Sequence, residues 1–185
     1  MPKKAVLAGG SGFLGQALAQ ELRARSYEVV LLTRQPRERR GDGIREVGWG
    51  PRRPDIWKQE LEGADALVNF AGRSVNCVHT AENRQAILGS RLDAVHVLGD
   101  AVKACRRPPG AWVQCSATGF YGDGEGRICD EQSAPGRGFM AQVCRNWEEA
   151  FDSLALSATR KVAGGSTTLI VTSASVMMLV SDSLK

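Results

Sequence analysis

Gly9-Gly10-Ser11-Gly12-Phe13-Leu14-Gly15 superimposes two glycine spacings, G-x-G-x-x-G through Gly10, Gly12 and Gly15, and G-x-x-G-x-x-G through Gly9, Gly12 and Gly15. Such a loop suits one kind of ligand. A diphosphate has to approach the backbone closely, so side chains are removed, and free N–H groups at the start of a helix then face its negative charge. Gly15 is expected to let that helix pack closely on the strand. The pattern carries weight only between a strand and a helix, and without that setting it is a glycine turn with no ligand. A second cluster, Ser116-Ala117-Thr118-Gly119-Phe120-Tyr121-Gly122, brings together three hydroxyls able to exchange protons, on Ser116, Thr118 and Tyr121. Ser116 could donate to a carbonyl oxygen gaining negative charge, or simply form the turn after a strand. Tyr121 has no cation beside it in the sequence.

The surrounding elements supply the setting. Lys4 to Ala8 is a short apolar run that ends at the glycines, and Leu14, Ala17, Leu18 and Leu22 then recur at helical spacing. Glu28 to Thr33, with four aliphatic residues in succession, reads as a strand buried on both faces. Strands are also expected over Ile44 to Trp49, Asp65 to Ala71 and Ala111 to Ser116. A helical stripe runs through Leu88, Leu92, Val95, Leu98 and Val102, and another through Met140, Val143, Trp147, Phe151 and Leu154. Strands alternating with helices predict an α/β fold, a doubly wound parallel sheet with its ligands at the carboxyl edge.

Composition narrows the rest. The chain has 185 residues, a net charge of +4 and 43% hydrophobic residues, which is one domain with room for a core. Its five cysteines have neither metal-ligand spacing nor an even count, and only two histidines accompany them. No metal site or disulfide framework is expected, and each cysteine should be a small buried or half-buried residue in a reducing compartment. The apolar residues between Lys4 and Gly9 are too few for a signal-peptide core, so a cytoplasmic location is expected. From Val162 to Ser181 no charged residue occurs, but Gly, Ser and Thr interrupt the run too often for a membrane span. One strand, Thr167 to Thr172, is expected there. The chain divides into a dinucleotide-binding domain, 1–162, and a divergent uncharged segment, 163–185.

At the end of the second strand stand Thr33 and Arg34, where an acid would accept from ribose hydroxyls and a base would pair with a 2′-phosphate. Residues 34–53 hold seven arginines against three acids, an excess equal to the charge of the whole chain. NADP is therefore favoured over NAD, with Arg34 as the partner of the phosphate and most other arginines merely solvated. A nucleic-acid surface is not expected, because no aromatic residues interleave with the basic ones.

With these motifs and Asn69-Phe70-Ala71-Gly72 in order, the chain resembles the extended short-chain dehydrogenase/reductases. More narrowly it resembles their epimerase-like branch, described as NADP-dependent oxidoreductases or nucleotide-sugar epimerases. Asn83-Arg84, Ser90-Arg91-Leu92, Pro108-Pro109, Asp130-Glu131 and Trp147-Glu148 match that branch as well, and the likeness covers roughly residues 4–162. The resemblance implies a Rossmann-like fold in which Gly9, Gly12, Phe13, Leu14 and Gly15 hold the diphosphate and Thr33 and Arg34 the adenosine phosphate. It further implies that Phe70, Ala71 and Gly72 line the nicotinamide side, that Arg91 reaches the cofactor from the long helix, and that Ser116 matches the catalytic serine.

Two departures are visible. The superfamily's tyrosine followed four residues later by lysine is absent, since Tyr27 is followed by Leu31, Tyr121 by Glu125, and the aligned region offers Phe139 and Val143. Extended members also carry a substrate-binding lobe after a sixth strand and a glycine turn, which the charge-free segment is expected to replace here. The resemblance implies hydride exchange between nicotinamide and a small carbonyl or nucleotide-sugar substrate. Its alternative is a non-catalytic NADP(H)-binding module that controls a partner.

Overall fold

The computed structural model describes residues 2–38, 40–50, 56–122, 128–130 and 132–164. Six strands, β1 (Lys4–Ala8), β2 (Glu28–Thr33), β3 (Arg45–Gly48), β4 (Ala66–Asn69), β5 (Ala111–Cys115) and β6 (Arg160–Gly164), form one sheet in the order β3-β2-β1-β4-β5-β6. Every pairing is parallel. The helices are α1 (Phe13–Ala24), α2 (Ala81–Ala104) and α3 (Phe139–Asp152), with short 3-10 segments at Ile56–Leu61 and Thr118–Tyr121. From β1 the chain winds outward to β2, then returns to β4 and winds the other way. Right-handed crossovers in opposite directions put α1 on one face and α2 with α3 on the other. The strand order reverses between β1 and β4, which opens a crevice beyond their carboxyl ends.

The central strands are aliphatic because both faces are covered: Val6, Leu7, Val30, Leu31, Leu67 and Val68 have no exposed surface. Each such side chain contributes about 1.5–3 kcal/mol by leaving water. Trp112 of β5 meets Phe151 of α3 edge to face at 5.1 Å and closes the core under that helix. α1 buries Gly15, Leu18, Ala19 and Leu22, a stripe turned from the expected one, so Leu14 and Ala17 lie outside it. That rotation leaves Phe13 and Leu14 exposed at the mouth of the loop. In α2 the buried set includes Ile87, Ala94, Val95, Leu98 and Val102, while Leu88 and Leu92 are only half-buried.

The sixth strand corrects one expectation. It was expected to be replaced by the charge-free segment, yet β6 occupies Arg160–Gly164 and pairs with β5 from Ala111↔Arg160 to Cys115↔Gly164. Its charged start is explained by its place beside β5, on the outer flank of the sheet. The Lys161 ammonium donates to the carbonyls of Phe151 (3.2 Å) and Asp152 (2.7 Å) at the end of α3, where a cation is favoured, and lies 5.3 Å from the centre of the Phe151 ring. The strand expected at Thr167 to Thr172 lies outside the described residues. No disulfide joins the five cysteines; Cys115 and Cys144 are buried and Cys77, Cys105 and Cys129 half-buried. Among the described residues no helix is long and apolar enough to cross a membrane.

Candidate functional site

The loop between β1 and α1 is shaped by what its glycines touch. Gly9 has φ +70°, and a Cβ there would sit 2.8 Å from the Ala71 Cα, so the loop rests directly on the turn after β4. A Cβ on Gly10 would press on Leu7 and Leu31, and one on Gly15 would collide with the Gly10 backbone. Gly15 thus brings the helix onto the loop rather than onto the strand. Gly12 differs from these three. It is the N-cap of α1, its φ of −76° suits any residue, and nothing lies nearer its missing side chain than the Gly9 carbonyl at 3.9 Å. No side chain caps α1 and no acid stands in its first turn. The first N–H groups of the helix therefore face open space with the positive end of its dipole behind them, a seat that fits a diphosphate.

Beside this seat is a cavity of about 630 Å3 lined by Ser11, Thr33, Arg34, Gln35, Arg37 and Glu46. Thr33 is buried and its carbonyl accepts from the Trp49 N–H at 2.8 Å, which ties the end of β2 to β3. The arginines around it are not merely solvated as expected. Arg37 and Arg40 both bond the Glu46 carboxylate, at 2.7 and 2.8 Å; Arg40, its side chain only 8% exposed, also holds Asp42, and Arg45 holds Glu60 and Glu28. Among the described residues Arg34 forms no ion pair, so it alone of these four can offer its guanidinium to a ligand. Arg39, Arg52 and Arg53 lie outside the described residues.

This ion cluster has a consequence for stability. The Arg37 guanidinium, with help from Arg40, holds the Glu46 carboxyl down to about 2, and Arg40 holds Asp42 well below the usual carboxylate range. Both acids titrate lower when folded than unfolded, so their contribution is complete above about pH 4.5 and is lost as the pH falls toward 2. The loss expected from Glu46 is on the order of 2 kcal/mol. Thermal melts across pH 2 to 5 check this, and Glu46→Gln should flatten the acid limb.

On the other side of the crevice, β4 ends at Asn69, whose completely buried amide organises the turn. Its Oδ1 accepts from the Ala71 N–H at 3.0 Å and its Nδ2 donates to Gln114 Oε1 at 2.9 Å, while Gln114 Nε2 donates to the Cys115 carbonyl at 3.0 Å. Phe70 is half-buried, Ala71 buried and Gly72 exposed. A Cβ on Gly72 would come within 3.0 Å of Arg91 Cζ. Arg91 donates to the carbonyls of Arg73 and Ile87, each at 3.0 Å, and its guanidinium lies 5.2 Å from the centre of the Trp147 ring. It braces the Gly72–Arg73 turn between α2 and α3. Burial pulls its pKa below the usual arginine value.

Ser116 follows β5 directly, and its hydroxyl donates to the Glu148 carboxylate in the third turn of α3. Burial pushes the Glu148 carboxyl up, the Ser116 hydrogen bond opposes this and Asp152 adds to it. Among the described residues Glu148 has no cation within ion-pair distance. A half-buried carboxyl that shares a proton with a serine hydroxyl can move one. The sequence marks Glu148 only as a family match; the signal for its chemistry is an acid set among Val143, Trp147 and Phe151 on the buried stripe of α3. Thr118 is exposed at the start of the second 3-10 segment, and the Tyr121 hydroxyl donates to the Asp130 carbonyl at 2.7 Å. Phe139 heads α3 in edge-to-face contact with His79, 5.3 Å between ring centres. Glu125 and Glu131 lie outside the described residues. No group of three His, Cys, Asp or Glu fit to hold a metal ion occurs among the described residues.

The glycine loop, Thr33 and Arg34 thus gather at the ends of β1 and β2, and Phe70 to Gly72, Ser116 and Tyr121 at or beyond the ends of β4 and β5. The model of the NAD dependent epimerase/dehydratase family matches residues 5–151. Epimerase family protein YfhF of Bacillus subtilis is 31% identical over 144 residues, 77% of this chain and 47% of YfhF. Epimerase family protein SDR39U1 of Homo sapiens is 30% identical over 151 residues, 80% of this chain and 48% of that protein. The chain spans about half the length of the curated relatives it matches. The crystal structure of human SDR39U1 (isoform 2) with NADPH matches with a TM-score of 0.69 and 28% identity, over 95% of this chain and 58% of that one. A nucleoside-diphosphate sugar epimerase from Corynebacterium glutamicum matches with a TM-score of 0.67 and 30% identity, over 88% of this chain and 33% of that one.

Proposed function

We propose, since the chain belongs to the NAD dependent epimerase/dehydratase family, that it is the cofactor-binding part of an NADP-dependent oxidoreductase or epimerase-like protein. Its reaction is hydride exchange with a small carbonyl or nucleotide-sugar substrate. The observation that carries this is the uncapped N-terminus of α1, with Gly12 open beside it and Arg34, without an ion pair among the described residues, in the adjoining cavity. Gly9, Gly12, Phe13, Leu14 and Gly15 hold the diphosphate, Thr33 and Arg34 the 2′-phosphate, and Phe70, Ala71 and Gly72 the nicotinamide side. The NADPH in the human relative's crystal structure supports this choice of dinucleotide.

When bound, the nicotinamide supplies a hydride acceptor or donor. The chain's own part is the proton. With the Glu148 carboxyl protonated, its O–H donates to Ser116 Oγ and the serine hydrogen turns from Glu148 to an oxygen gaining negative charge; in the reverse direction Ser116 Oγ takes the substrate hydroxyl's proton as its own passes to the Glu148 carboxylate. This pair stands in for the missing tyrosine and lysine. Thr118, exposed on the same turn, is placed to orient the substrate. Tyr121, whose hydrogen is held by the Asp130 carbonyl, has to leave that bond before it can take part.

Calorimetry with NADPH and NADH side by side tests the reading. NADPH should bind at least about tenfold more tightly, as expected for one charge-assisted phosphate contact, and Arg34→Ala should remove that preference without weakening NADH. Equal affinities in the unaltered chain would overturn the assignment of NADP. Turnover with a panel of carbonyls and nucleotide sugars, lost in Ser116→Ala, separates an enzyme from a binding module whose occupancy controls a partner.

A further inference from the structure

A second cavity, of about 640 Å3, opens at the head of α3 and is lined by Arg84, Arg137 and Arg145 together with Phe139, Gln142 and the Pro135–Gly138 loop. Its charge is less balanced than that of the Arg34 cavity, where Glu46 is part of the wall. Among the described residues no acid lines the second cavity and none of its three arginines forms an ion pair. Arg84 is held in place, its Nε donating to the His79 carbonyl at 3.0 Å and its guanidinium 5.1 Å from the centre of the Phe139 ring. Among the described residues Arg137 and Arg145 make no side-chain hydrogen bond, so both remain free to receive one partner together.

The backbone that carries Arg137 is fixed. Gly136 N–H donates to the Phe120 carbonyl at 2.9 Å, and a Cβ on Gly136 would collide with the Tyr121 carbonyl. Gly122 has φ +65°, and a Cβ there would lie 2.7 Å from the Arg137 carbonyl. These close approaches clamp the Gly136–Gly138 loop onto the segment Thr118–Tyr121, which carries two of the candidate hydroxyls. Gathering three like charges around one hollow, with no counter-charge among the described residues, is unfavourable in the empty protein and favourable once an anion enters. α3 adds to this field, because Gly138 caps it without a side-chain bond and no acid stands in its first turn.

We propose that this cavity binds a phosphoryl group, with Arg137 and Arg145 as its principal donors and Arg84 as a fixed charge above the Phe139 ring. The carrier is the substrate of the proposed reaction, a diphosphate ester, or else a free phosphate anion. Only the first choice rests on the functional reading above.

The test is calorimetric titration of the full chain, saturated with NADPH so that the glycine loop is filled, using pyrophosphate as probe. One site is expected, weakened at least about tenfold by Arg137→Ala and again by Arg145→Ala. Arg25→Ala, which removes a surface charge just after α1, should leave it unchanged. Absence of binding up to about 10 mM, or equal binding by both cavity variants, would overturn the proposal. Uridine diphosphate at least about tenfold tighter than pyrophosphate supports a nucleotide carrier seated on Phe139, while equal affinity supports the free anion. Should the chain fail to hold NADPH, the cofactor reading falls. The same titration on Gly12→Asp, whose loop carries its own carboxylate, still decides the anion site.

Discussion

Gly12→Asp is expected to leave the chain folded, with a melting temperature unchanged or slightly raised, while its affinity for NADPH falls at least about a hundredfold. The two halves of this result come from the same atoms. Position 12 caps α1 with ordinary backbone angles and an empty direction where a side chain would point. Aspartate is a preferred N-cap, so its carboxylate should bond the free N–H groups of the first turn and stabilise the helix by about a few tenths of a kcal/mol over glycine. Those are the groups the diphosphate needs, and the new charge also repels it. Gly9→Ala would lower stability as well, since the substituted residue must hold φ +70° and displace the Ala71 backbone. Calorimetry with NADPH together with thermal melts checks the prediction, and unchanged affinity in a folded Gly12→Asp chain would sink the cofactor site.

The second large effect is expected at Glu148, where stability and activity should move in opposite directions. Its carboxyl is raised by burial, so the folded pKa lies above the unfolded one. A group of this kind stabilises the fold most when protonated, and stability declines as the pH climbs from about 4.3 through the folded value. Glu148→Gln keeps the shape and removes the charge. It should therefore raise the melting temperature at pH 7 while abolishing turnover, because an amide cannot exchange the proton. Ser116→Ala removes the donor to the same carboxylate and should lower stability at pH 7 by about 1 kcal/mol, after allowing for the solvent that screens a half-exposed charge. Melts of both single variants and the double variant across pH 4 to 8 isolate the coupling. A less stable Glu148→Gln that retains full turnover would remove the pair from the mechanism.

Much of the architecture was legible because doubly covered parallel strands leave an unbroken aliphatic signature, as Val29 to Leu32 does. The glycine loop was legible for a similar reason, since close backbone approach admits no other residue type at Gly9 or Gly15. What escaped the sequence depended on contacts between distant segments. β6 begins with Arg160 and Lys161, which look like a loop until the end of α3 supplies carbonyls and a ring for the lysine. The arginines after β2 form an undifferentiated basic run, and only the fold decides that Arg40 is paired with Asp42 and Glu46 while Arg34 is left open. The stripe of α1 was displaced because its first turn serves the loop and not the core. Glu148 belonged to a recognised motif, but its chemistry became visible only when Ser116, 32 positions earlier, was found against it.

The buried amides of Asn69 and Gln114 have a mechanical consequence for the crevice. From the Ala71 N–H through Asn69 and Gln114 to the Cys115 carbonyl runs one directional chain of hydrogen bonds that crosses from β4 to β5 at the tips of both strands. Adjacent parallel strands could otherwise fan apart where their ladder ends. Stitched in this way, the turn after β4 and the turn bearing Ser116 travel as a single rigid jaw, so any hinge that widens the crevice has to lie on the β1 side.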